Sequence, residues 1–66
     1  MKDLYGVTLE VGDIVVVNSK SSDLFERGVV EEIIENKVMG LVIAETAVVN
    51  RGYRGSFTES EIIYVG

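Results

Sequence analysis

With 66 residues, no cysteine and no histidine, the chain has room for one domain and one core, and it lacks the disulfide or zinc staples on which many small scaffolds depend. Six Lys and Arg against eleven Asp and Glu give a net charge of -5, which disfavours general binding to phosphate backbones while leaving room for a local basic patch. A hydrophobic content of 47% is more than so short a chain can hide alone, so self-association is expected.

No run approaches the roughly eighteen apolar residues of a membrane span, and the first residues, MKDLYG, lack the apolar segment of a signal peptide. A cytoplasmic protein without a membrane anchor is the expectation. In Asp3 to Asp13, Gly6 and the pair Gly12-Asp13 mark turns, and Val7, Leu9 and Val11 alternate with Thr8 and Glu10. That alternation predicts a short first strand. Ile14-Val15-Val16-Val17 is too short for a helix and too β-branched to favour one, so it predicts a second. Asn18 to Asp23, NSKSSD, predicts a solvated loop of residues that hydrogen-bond their own backbone.

Two readings compete over Asp23 to Asn36. Leu24, Phe25, Val29, Ile33 and Ile34 fall at helical spacing, and Asp23-x-x-Glu26 has the form of a capping box. Against a helix stand Gly28 and the β-branched Val29, Val30, Ile33 and Ile34. The doublets Val29-Val30, Glu31-Glu32 and Ile33-Ile34 also fit a bent strand whose register shifts at Glu31-Glu32. The strand is preferred; the alternative is an α+β fold, βαβββ, with a helix over 23–36. Next, Glu35-Asn36-Lys37 predicts a turn, Val38 to Val49 a strand with a bulge at Gly40, and Asn50-Arg51-Gly52 a hairpin turn into Tyr53 to Phe57. Thr58-Glu59-Ser60-Glu61 has the capping-box form and predicts one helical turn before a last strand, Ile62 to Val65.

Asp3, Gly6, Leu9, Gly12, Asp13, Ile14 and Val15 resemble the lead-in of small phage proteins of the YopX type and of other SH3-like proteins of tailed phages, with Tyr5 where Asn is common. Gly12, Asp13, Val15, Val17, Gly28, Val30 and Ile33 resemble the KOW and wider SH3-like pattern, and a single turn before a short last strand is a further SH3-like feature. The resemblance implies an all-β fold: one small five-stranded SH3-like barrel over residues 1–66, with one 3-10 turn before the last strand. It also implies a phage or prophage accessory protein acting in the cytoplasm of a host cell. Within that barrel Val15, Val17, Val30, Ile33, Leu41, Ile43 and Ile62 are expected inside.

The chain offers little for catalysis. No triad, nucleophile elbow or phosphate-binding loop is spelled out, and Ser19, Ser21, Ser22, Ser56 and Ser60 read as turn and cap residues. Asp23, Glu26, Glu31, Glu32 and Glu35 read as a solvated acidic face, without the spacing of a calcium loop. A non-enzymatic protein with no cofactor and no metal is therefore expected. Arg51, Tyr53 and Arg54, flanked by Gly52 and Gly55, put two guanidinium groups and an aromatic on one hairpin tip, a combination enriched at protein interfaces. They are the candidate partner-binding residues. The expected function is to bind a host or phage protein and to modulate that protein by occupation. The alternatives are a nucleic-acid module using Arg51 to Arg54, and a structural homo-oligomer subunit. For self-association, strand alternation through Leu41-Val42-Ile43-Ala44 puts Val42 and Ala44 outside with Val48, a patch that a homodimer through the outer face or edge of Leu41 to Val49 would cover.

Overall fold

The β-branched run Ile14 to Val17 forms most of β1 (Ile14–Asn18) in the computed structural model of the chain, which describes residues 1–18 and 24–66. Of the predicted loop from Asn18 to Asp23, Asn18 is the last residue of β1, and the rest, with one end of the Asp23-x-x-Glu26 pattern, lies outside the described residues. After it come β2 (Phe25–Val38), β3 (Leu41–Asn50), β4 (Arg54–Phe57), a 3-10 turn (Glu59–Glu61) and β5 (Ile62–Tyr64). All pairings are antiparallel and make one five-stranded sheet in the order β4-β3-β2-β1-β5. The fold is all-β. Among the described residues no helix is long and apolar enough to cross a membrane.

Residues 25–38 are extended, which removes the βαβββ alternative. The strand pairs with β1 over Phe25 to Val29 and with β3 from Val29 to Val38, so the two ladders meet at Val29, opposite Ile14 on one edge and Asn50 on the other. The register between β2 and β3 shifts between Val30 and Glu32, where the doublet Glu31-Glu32 predicts a bulge. The shift lets Val30 and Ile33, three apart, both turn toward the core. Alternation does the rest: Val15, Val17, Val30, Ala47, Val49, Phe57 and Ile62 are buried together with Leu9, and Met1 and Ile33 pack against them.

The segment before β1 is fastened rather than paired. Where a first strand is expected over Val7 to Val11, the backbone makes only one isolated bridge, Lys2↔Thr8. It then docks on two strands: Leu4 N–H donates to Ile62 O at 2.9 Å, and Gly12 N–H donates to Val30 O at 2.8 Å. These contacts cover part of the exposed edge of β5 and extend the ladder at β2, a common way of protecting sheet edges.

Three further expectations are corrected at the far end of the β2–β3 hairpin. The turn is Met39-Gly40, not Glu35-Asn36-Lys37, and Gly40 is a turn residue rather than a bulge. Met39 at φ 53 and Gly40 at φ 80 are the successive positive values of a two-residue type I′ hairpin, which matches strand twist better than a polar three-residue turn. A second register shift falls between Asn36 and Lys37. Finally, Leu41 and Ile43, expected inside, are 71% and 65% exposed. The hairpin outruns the sheet: β1 pairs with β2 only as far as Val29, and β4 pairs with β3 only from Ala47 to Asn50.

Candidate interaction site

Two surfaces stand at opposite ends of β3. At its C-terminal end the turn from Asn50 to Arg54 is closed by Asn50 Oδ1, which accepts Gly52 N–H at 2.9 Å, and by Arg51 N–H donating to Tyr53 O at 3.0 Å. This turn carries the three predicted partner-binding residues, and the structure treats them unequally. The Arg51 side chain is only 8% exposed. Its Nη1 donates to Glu26 Oε1 at 3.0 Å, and its guanidinium carbon lies 4.0 Å from the Tyr53 ring centroid and 4.8 Å from that of Phe57. Arg51 Nε is buried with no acceptor among the described residues. The expectation of a free guanidinium at the tip is thus corrected for Arg51, which lies over the open end of the core.

Two glycines make the space it occupies. A Cβ at Gly28 would meet Val49 Cγ1 at 2.5 Å, Asn50 O at 2.7 Å and Arg51 Cγ at 3.0 Å. A Cβ at Gly55 would meet Arg51 Nη2 at 2.6 Å and the Phe57 ring at 3.1 Å. Glycine inside a strand is a legible signal of such close approach, although the sequence does not say what approaches. Tyr53 and Arg54 remain at the surface. The Tyr53 hydroxyl donates to both Glu26 carboxylate oxygens, at 2.9 and 3.0 Å, and this hydrogen bond raises its pKa above the usual tyrosine value. Arg54 Nε donates to Glu31 Oε1 at 2.9 Å from a side chain that is 73% exposed.

The other end of β3 is the hairpin tip. Ile34, Val38, Met39, Leu41, Val42 and Ile43 are all exposed there, Met39 by 96%. Of the predicted oligomer patch, Val42 and Ala44 are exposed on this projection, whereas Val48 is half-buried within the sheet opposite Glu32 and Ser56. An open groove of about 390 Å³ runs beside Ala44 and Glu45, bounded by Leu4 and by Thr58, Glu59 and Ser60. Glu61 Oε1 shapes its far wall by accepting the Thr58 N–H at 3.0 Å and the Thr58 hydroxyl at 2.9 Å.

Sequence reasoning missed Asp3, the one charged residue among those described that is buried backbone and side chain together. Asp3 Oδ1 accepts the N–H groups of Tyr5 at 2.9 Å and Val7 at 2.8 Å, and Oδ2 accepts that of Tyr64 at 2.8 Å. Burial pushes this carboxyl up, and the N–H donors of Tyr64, Val7 and Tyr5 outweigh it and hold the group below the ordinary aspartate value. An Asp three residues before a turn glycine signals the local half of this arrangement, not the link to β5. Among the described residues, no group of three or more carboxylate, His or Cys side chains is placed to hold a metal ion.

No curated protein and no solved structure matches the chain. Residues 1–63 match the family described as Domain of unknown function (DUF7205), and the chain belongs to that family.

Proposed function

We propose that this chain is a non-enzymatic interaction module that binds a protein and alters it by occupying its surface. The observation that carries this reading is the hairpin tip, where the sheet extends past its own core and leaves large apolar side chains in solvent. Exposed apolar surface of this extent on so small a chain marks an interaction site. Tyr53 and Arg54, at the other end of β3, supply a second contact. A nucleic-acid contact has less to draw on: the Arg51 guanidinium is bound to Glu26, that of Arg54 to Glu31, and the net charge is -5.

The finer reading of the fold is an SH3-like barrel of phage type. Support for it comes from the strand order β4-β3-β2-β1-β5, the long bulged β2 shared by both halves of the sheet and the 3-10 turn leading into β5. The phage-type origin, with action in a host cytoplasm, rests on the sequence resemblance of the segment from Asp3 to Val15. The test compares proteins captured by the unmodified chain with those captured by Leu41→Lys/Ile43→Lys, after thermal melting has shown that both are folded. Loss of capture is expected; identical capture rejects the tip as the binding surface.

A further inference from the structure

We propose that Arg51 is the resident occupant of a guanidinium-binding pocket, and that an arginine side chain of a protein partner takes its place. The pocket is assembled from β2, β4 and the turn before β4. Glu26 supplies a carboxylate oxygen 3.0 Å from Nη1, and the Tyr53 and Phe57 rings face the guanidinium carbon at 4.0 and 4.8 Å. Two glycines then make room along the length of the side chain: a Cβ at Gly28 would meet its Cγ, and a Cβ at Gly55 would meet its Nη2. Carboxylate, ring faces and bare backbone are the three things that a flat cation on a thin stem requires. Closing the end of the core requires none of them, because an aliphatic side chain would do so without desolvating a charge.

Three features make the resident replaceable. Arg51 Nε is buried with no acceptor among the described residues, so the resident satisfies only part of its own hydrogen-bonding capacity. The outer wall is open to solvent, with the Glu26 side chain 34% exposed and Tyr53 57% exposed. Arg51 itself stands in a turn beside Gly52 at φ 99. Its departure breaks the bonds from Arg51 N–H to Tyr53 O and from Gly52 N–H to Asn50 Oδ1, and it leaves the strand ladders in place. The net charge of -5 favours a cation as the newcomer. The site rests on the interaction module proposed above for the nature of its partner, and not on the hairpin tip.

An internal occupant weakens an external one by the fraction of time that it is away, so removing Arg51 should tighten binding. The experiment follows N-propylguanidinium, which is the arginine side chain without its backbone, by NMR titration of folded Arg51→Ala. Expected is saturable binding with a dissociation constant below about 10 mM, and shifts gathered at Gly28, Gly55 and the rings of Tyr53 and Phe57. N-propylammonium, with the same stem and a compact charge, should bind at least about tenfold more weakly, as should N-propylguanidinium to Arg51→Ala/Glu26→Gln. A short peptide with one arginine and blocked ends should bind Arg51→Ala and, at least about tenfold more weakly, the unmodified chain. Should Arg51→Ala fail to fold, Arg51→Gln keeps the stem and empties only the flat end, and guanidinium itself at millimolar concentration is then the probe.

A folded variant that shows no saturable binding overturns the proposal, as does equal binding of the ammonium compound. Binding by the variants with none by the unmodified chain makes Arg51 a permanent plug and overturns it too. Guanidinium binding in a chain that captures no protein removes the interaction module and leaves the pocket standing. Capture of proteins without guanidinium binding removes the pocket and leaves the module.

Discussion

The carboxylate of Asp3 accepts the backbone N–H of Tyr64, 61 residues away, at 2.8 Å, and so ties the first turn of the chain to its last strand. The same side chain organises the turn through Tyr5 and Val7. One buried carboxylate thereby does locally what a cap does and at long range what a cross-link does.

Asp3→Asn should destabilise the fold at neutral pH by on the order of 2 kcal/mol, because an amide nitrogen replaces one of the oxygens that accept N–H groups. The folded-state pKa of Asp3 lies below its unfolded value, so the unfolded chain binds the additional proton first. Its stabilising effect is complete above the unfolded value of about 3.9 and is lost as pH falls through the folded value. Urea midpoints measured from pH 7 to pH 2 should show the unmodified chain converging on Asp3→Asn. A gap of constant size across that range would mean that the charge is not the cause.

The two glycines around Arg51 should respond differently to a methyl group. At Gly28 the obstacles are Val49 and the backbone carbonyl of Asn50, which cannot move aside, so Gly28→Ala should cost about 1–3 kcal/mol. At Gly55 the nearest atom is the end of the Arg51 side chain, so Gly55→Ala should cost less. Arg51→Ala should itself destabilise by uncovering the end of the core, and in combination should absorb much of the Gly55→Ala penalty. A double-mutant cycle read by denaturation reports that coupling; strict additivity would contradict the contact.

The hairpin turn carries a correctable strain. Met39 holds φ 53 with a side chain almost entirely in solvent. Met39→Asn places the residue preferred before glycine in a type I′ turn and should raise stability by about 0.5–1 kcal/mol. An unchanged or lowered melting temperature would argue for a different turn.

Burial divides the valine-rich strands into two kinds of position. Val15→Ala should cost about 2 kcal/mol by opening a cavity in the core, whereas Leu41→Ala should change unfolding of the monomer by no more than about 0.5 kcal/mol. Measured at low concentration, equal effects would show that the tip is covered by something within its own chain.

The sequence alone determined the strand from Ile14 to Val17, a hairpin whose turn was expected at Asn50 to Gly52 and lies one residue on, at Arg51 to Tyr53, the short strand after it, the bulge at Glu31-Glu32 and the turn at Thr58 to Glu61. Each rests on neighbours within a few residues: β-branching, a glycine, a doublet or a capping pair. Tertiary structure decided what depends on distant partners. Leu41 and Ile43 have the same local pattern as buried strand residues, but β1 and β4 end short of them and the register shift at Ile43 breaks the alternation that would carry Leu41 to the core face. Arg51 reads as a surface cation until Glu26, Gly28 and Gly55 arrive beside it from other strands. Asp3 reads as a turn residue until Tyr64 closes on it. Periodicity reports which face a side chain takes, but whether anything lies over that face is fixed by where the other strands end.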